Sequence, residues 1–107
     1  MTAPRALRNF INGEFCDARS ERRLDVVNPA TGKVVATAPV SSARDVDDAY
    51  AAAAAAFGEW GRTTPSERQQ ALLKFADAIE ARADEFVTLE GENTGKPHAL
   101  TASEEVP

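Results

Sequence analysis

Short apolar stretches alternate with turn-forming clusters up to Val40, and beyond it the apolar spacing lengthens to that of a helix. The run Asn9-Phe10-Ile11-Asn12-Gly13-Glu14-Phe15 places Asn-Gly between two short apolar stretches. That dipeptide predicts a hairpin, because a type I′ turn needs positive φ at both central residues. Residues 16–23 are polar and read as a surface connection. Leu24-Asp25-Val26-Val27 and the run from Lys33 to Val40 predict further strands. Between them lies Asn28-Pro29-Ala30-Thr31-Gly32, where Pro presets φ, Asn can bond its own backbone and Gly tolerates the left-handed region. Residues 8–40 are therefore expected to form a β-hairpin and meander.

Two helices should follow. Val46, Ala49, Tyr50, Ala53, Phe57 and Trp60 recur at helical spacing and predict a helix over 42–60. Ser41 and Ser42 are cap candidates, and Asp45 lies where an acid meets the unpaired N–H groups of a first turn. The opposite face is largely Ala, the composition of a helix packed on both sides. Thr64-Pro65-Ser66-Glu67 combines an N-cap Thr, a Pro at the first helical position and a Glu at the third. The stripe Leu72, Phe75, Ala76, Ile79, Ala83 and Phe86 predicts a single second helix over 65–93. Gly95 and Pro97 end it. Residues 98–107 have helix-like composition without a cap, and read as the start of a further, truncated element.

Charge and composition narrow the function classes. The 107 residues carry 12 Lys and Arg against 17 Asp and Glu, a net charge of −5. An acidic chain lacks the basic footprint of a non-specific nucleic-acid binder. Hydrophobic residues make up 43% and charged residues 27%, the balance of a globular chain. No apolar run approaches the roughly 18 residues that span a bilayer; the longest near-apolar run is Ala49 to Phe57. The first residues lack the apolar core of a secretory signal, so a cytoplasmic product without membrane or nucleic-acid partners is expected. A lone Cys16 excludes an internal disulfide, and one Cys with one His, His98, cannot supply a structural zinc site.

Little independent chemistry is left. Cys16 lies near Arg19, Arg22 and Arg23, which could lower a thiol pKa, and a small hydrolase using Cys16 and His98 would need the two brought together. A half-buried small residue at a strand end is the better reading of Cys16, and a surface or hydrogen-bonded side chain the better reading of His98. Gly58, Gly61, Gly91 and Gly95 lack the spacing of a phosphate cradle, and Gly95-Lys96 closes a helix rather than opening one. Asp47 with Asp48, Glu80 with Asp84, and Glu104 with Glu105 read as solvated carboxylates, while Phe57 and Trp60 read as core.

The order of these segments resembles the start of one family. Asn9 to Phe15, Val27-Asn28-Pro29-Ala30-Thr31-Gly32-Lys33-Val34, Ala56-Phe57 with Trp60, and Asn93-Thr94-Gly95-Lys96-Pro97 resemble the N-terminal part of the NAD(P)-dependent aldehyde dehydrogenases. Pro65, Arg68, Leu72, Leu73, Ala76 and Ile79 match that family's second helix. The resemblance implies an α/β parent with a Rossmann-type cofactor domain, of which this segment is a β-meander or hairpin followed by two packed helices. It also implies oxidation of an aldehyde to a carboxylic acid with NAD or NADP, in a homo-oligomeric dimer or tetramer. Within the family, Glu59 to Pro65 and Glu104-Glu105-Val106-Pro107 look most like γ-aminobutyraldehyde dehydrogenases, which implies 4-aminobutanal as the aldehyde, with the neighbouring betaine-aldehyde and succinate-semialdehyde branches as alternatives. The nucleophilic cysteine, the glutamate and the Gly-rich cofactor segment all lie beyond this chain, so no catalytic or cofactor-binding residue is expected here and the segment is scaffold. One site transfers by resemblance: a monovalent cation on main-chain oxygens of Val26 and Val27 and on Asn93, which stands where the family usually has Asp. The alternative from another class is a non-catalytic fragment or stand-alone binding module.

Overall fold

Asn12 and Gly13 both take positive φ, 55° and 79°, and close the expected two-residue hairpin. The computed structural model describes residues 3–105, in which the chain gathers into two compact units. The first holds Met1–Val26 with Val34–Arg62, and the second Val27–Lys33 with Thr63–Pro107.

In the first unit the hairpin joins β2 (Asn9–Ile11) to β3 (Glu14–Cys16), pairing Asn9 with Cys16, Phe10 with Phe15 and Ile11 with Glu14. The Phe10 and Phe15 rings meet edge to face with centroids 5.1 Å apart. A separate three-stranded sheet has the order β1 (Arg5–Ala6), β5 (Val34–Pro39), β4 (Arg23–Val27). The β region is thus two sheets rather than one continuous meander. The polar run that precedes β4 is the reason: it has no alternating apolar face to hold it in a ladder. β1, which the apolar pattern does not flag, runs parallel to β5, with Arg5 opposite Ala36 and Ala6 opposite Thr37.

Helix α1 (Ala43–Trp60) starts at Ser42, whose hydroxyl accepts the Asp45 N–H while the Asp45 carboxylate accepts the Ser42 N–H. It packs against β2.

The second unit departs from expectation at one place. The stripe predicts one helix over 65–93; the structure has two, α2 (Pro65–Glu80) and α3 (Ala83–Thr94). Arg82 leaves helical geometry at φ −121° and ψ 23°. Its carbonyl accepts N–H bonds from Glu85 and Phe86, and its guanidinium forks onto the Glu85 carboxylate at 2.8 and 2.7 Å. These bonds begin a new helix where the old one would have continued. α2 opens with the expected capping box, Thr64 with Glu67, and α3 ends on Gly95 at φ 74°. A short turn, α4 (His98–Leu100), runs into a π-helical turn, Thr101–Glu105, and both pack on α3. Val106 and Pro107, the end of the expected further element, lie outside the described residues.

The turn from Asn28 to Lys33 is tied by Asn28 N–H to the Lys33 carbonyl at 2.9 Å, by Gly32 N–H to the Asn28 carbonyl at 2.8 Å, and by Ala30 N–H to the Asn28 side chain at 2.9 Å. Few apolar side chains are buried. Among the described residues only Ala36 and Val87, each 2% exposed, form a hydrophobic core. Phe57 is 72% and Trp60 45% exposed on α1, and Phe75 is 65% exposed on α2, so neither stripe is covered within these described residues.

Candidate functional site

Asp45 is the one acidic side chain that the described fold buries, at 6% exposure, and it is fully engaged. Its position at the third residue of α1 follows from Ser42 as cap, which turns the carboxylate back toward the helix start. The Ser42 N–H and hydroxyl donate to Oδ2 at 2.7 and 2.9 Å, and the Arg19 N–H donates to both oxygens at 3.2 and 3.3 Å. The Arg19 guanidinium lies 3.7 Å from Oδ1 and donates to Asp48 at 2.6 Å. The Ser42 N–H, above all, holds the Asp45 carboxyl below the usual carboxylate range, against the opposing pull of desolvation. The Ser42 hydroxyl and the Arg19 N–H and charge act in the same direction. The hydrogen bond to Asp48 and its charge raise Arg19 in turn. Donors that stabilise the ionised carboxylate in this way make Asp45 a weak base. It pins the polar run before β4 to the start of α1.

Beside it, β2 and the first turns of α1 enclose a shallow groove of about 270 Å³, lined by Phe10, Ile11, Val46 and Ala49. Its polar wall is spent internally: the Asn9 amide donates to Ser41 Oγ at 2.9 Å, and that hydroxyl donates back to Asn9 Oδ1 at 3.2 Å. Asp45 also lines the groove, so the hydroxyl and the carboxylate that face it are both already engaged in internal hydrogen bonds.

The sequence candidates fall on different elements. Cys16 is half-buried at the end of β3 in the first unit, and His98 is exposed at the start of α4 in the second. Among the described residues no group of three His, Cys, Asp or Glu could hold a metal ion. Asp47 is exposed and Asp48 is spent on Arg19. Glu80 closes α2 while Asp84 lies in the first turn of α3, so the pair does not share one helix. Glu104 is exposed in the π-helical turn. Gly58 lies inside α1, Gly61 caps it, Gly91 lies inside α3 and Gly95 caps that helix, so none forms a cradle for a dinucleotide. Val26 and Val27 are the last two residues of β4, and Asn93 sits exposed in the last turn of α3. No described helix is long and apolar enough to cross a membrane.

Sequence reasoning found the Asp45 cap but missed Arg19 as its partner, because nothing in a polar run marks which residue folds back. It also missed Arg23, whose side chain crosses a strand.

Most of the chain is similar to known proteins. The chain is 42% identical over 102 residues to 2-hydroxymuconic semialdehyde dehydrogenase of Pseudomonas sp. (strain CF600), covering 94% of this chain and 21% of that protein. It is 49% identical over 93 residues to aldehyde dehydrogenase 1 of Tanacetum cinerariifolium, covering 85% and 19%. An aldehyde dehydrogenase C variant from Pseudomonas syringae, solved with NAD+ and octanal, superposes with a TM-score of 0.88 at 36% identity, over 92% of this chain and 20% of that one. The chain therefore spans about a fifth of the length of the relatives it matches. The profile of the aldehyde dehydrogenase family matches residues 15–107, and with these identities it establishes that the chain belongs to that family.

Proposed function

We propose that this chain is the N-terminal scaffold of an NAD(P)-dependent aldehyde dehydrogenase and carries none of its reacting groups. The observation that carries the reading is the exposure of the α1 and α2 stripes in a chain one-fifth as long as its relatives. Faces with Phe57 and Phe75 largely bare are built to be covered by more protein. NAD or NADP as cofactor is supported by the Pseudomonas syringae relative, solved with NAD+. The described residues supply no cradle for such a cofactor, so no step of hydride transfer is assigned to them.

The aldehyde proposed is 4-aminobutanal, on the likeness of residues 59–65 and 104–107 to γ-aminobutyraldehyde dehydrogenases. The complete enzyme is proposed to be a cytoplasmic homo-oligomer, a dimer or tetramer. A monovalent cation on the main-chain oxygens of Val26 and Val27 and the Asn93 amide oxygen belongs to the same reading. Those donors carry no formal charge, which suits a weakly held monovalent ion and not a divalent one.

The test is the coding sequence after the Pro107 codon, and NADH or NADPH formation by its complete product with 4-aminobutanal, betaine aldehyde and succinate semialdehyde. A frame running on for several hundred codons, with turnover fastest on 4-aminobutanal, is expected. An immediate stop codon overturns the enzyme reading, and faster turnover of either rival aldehyde overturns the substrate.

A further inference from the structure

β1 is only two residues long, and a parallel pair of that length is a poor element by itself. Arg5, Ala6 and Leu7 are all exposed, so burial contributes little to its docking. What ties it down is polar. The Leu7 N–H donates to the Thr37 carbonyl at 2.8 Å. Arg23, on β4, extends across β5 and donates from Nε to Thr37 Oγ1 at 2.8 Å. Its Nη2 donates to the Thr37 carbonyl at 2.9 Å and to the Leu7 carbonyl at 2.6 Å. One guanidinium thus touches the backbone just after β1 and both the backbone and side chain of the central strand, from a root on the far strand.

We infer that Arg23 is a latch for the amino-terminal strand, so that β1 docks and releases as a strap independently of the rest of its unit. The planar fork of arginine matches two carbonyls and a hydroxyl at once, which a single ammonium on a flexible stem does not. Because the partners are neutral oxygens rather than carboxylates, the latch does not depend on the titration of any acid. Release would uncover the backbone edge of β5 at Ala36 and Thr37, a template for pairing with another strand.

The test is single-residue amide hydrogen exchange on the full chain, comparing the parent with Arg23→Lys and with Thr37→Val. The second variant keeps the guanidinium and removes only the hydroxyl. Arg23→Lys should speed exchange at the Leu7 amide by about tenfold or more, with the β2–β3 hairpin and α1 amides unchanged, and Thr37→Val should give a smaller change of the same kind. Trypsin cleavage after Arg8 should accelerate in parallel. Unchanged Leu7 exchange in both variants overturns the latch. So does an equal acceleration at every amide of the unit, because that would make Arg23 a general stabiliser and not a local one.

Discussion

Gly95 and Pro29 lie so close that a β-carbon on the glycine would stand 2.9 Å from the proline Cγ, inside ordinary van der Waals contact. The two residues come from the two turn motifs that most mark the chain as a family member, Asn28 to Lys33 and Asn93 to Pro97. Gly95 is required twice over: its φ of 74° suits a residue without a β-carbon, and the space beside it is filled. Gly95→Ala should cost roughly 1–3 kcal/mol, read as a fall in the urea midpoint followed by helical circular dichroism. Pro29→Ala in the same background should recover the steric part and not the backbone part. A full recovery would show that φ contributes nothing here.

The two helix caps should not be equal. Ser42→Ala and Thr64→Ala each remove a hydroxyl that accepts an N–H three residues on, which costs about 1 kcal/mol. Ser42 also donates its hydroxyl to the buried Asp45, whereas Glu67 is exposed. Loss of Ser42 therefore leaves a buried carboxylate short of a donor and should cost clearly more than loss of Thr64. Equal effects in chemical denaturation would mean that water replaces the missing hydroxyl.

How much of this could be read from the sequence depends on how local each cause is. The Asn12-Gly13 hairpin, both capping boxes and the Gly95 stop are set by residues within a few positions of one another, and their chemistry is visible in the chain. The break at Arg82 has no glycine, proline or hydroxyl cap to announce it, and the stripe Ile79, Ala83, Phe86 runs straight through. The parallel pairing of β1 with β5 and the Arg19 contact to Asp45 join residues far apart in sequence, which no period encodes. That the chain has one Cys, one His and no glycines at cradle spacing is visible in the sequence, but where Cys16 and His98 come to lie, at the end of β3 and the start of α4, is not. That the stripes stay bare follows only from the resemblance to a longer family, because an apolar stripe looks the same whether its cover belongs to the same 107 residues or to others.

Acid should unfold the chain through its caps. Asp45 is held below the usual carboxylate range first by the Ser42 N–H, and Glu67 first by the Thr64 N–H and then by the Thr64 hydroxyl. A carboxyl depressed in the folded state takes up its proton first in the unfolded state. Its stabilisation is therefore complete above the unfolded value and is lost as pH falls through the folded one. The unfolding midpoint should stay level from neutral pH down to about 5 and decline below about 4. Asp45→Asn should flatten that decline more than Glu67→Gln, since the exposed Glu67 is better screened by solvent. An undiminished decline in both variants would move the acid sensitivity to other carboxylates.

The bare apolar stripe on α2 makes the same substitution mean different things in two settings. In the 107-residue chain Phe75 is 65% exposed, so Phe75→Gln removes no buried contact and changes stability by about 0.5 kcal/mol or less. Leu72→Gln should behave alike, and glutamine is a good helix former, so α2 itself is kept. Both variants should, however, reduce concentration-dependent association of the chain in sedimentation velocity, because exposed faces of this kind bury against one another when nothing else covers them. In the complete enzyme, where the scaffold reading has the face covered, Phe75→Gln should instead cost about 3 kcal/mol or more, since it removes a buried ring and leaves an amide without partners. The contrast between the two settings is the decisive quantity. If Phe75→Gln is as mild in the complete enzyme as in the short chain, the stripe faces water in both, and it cannot be the surface on which the rest of the protein is built.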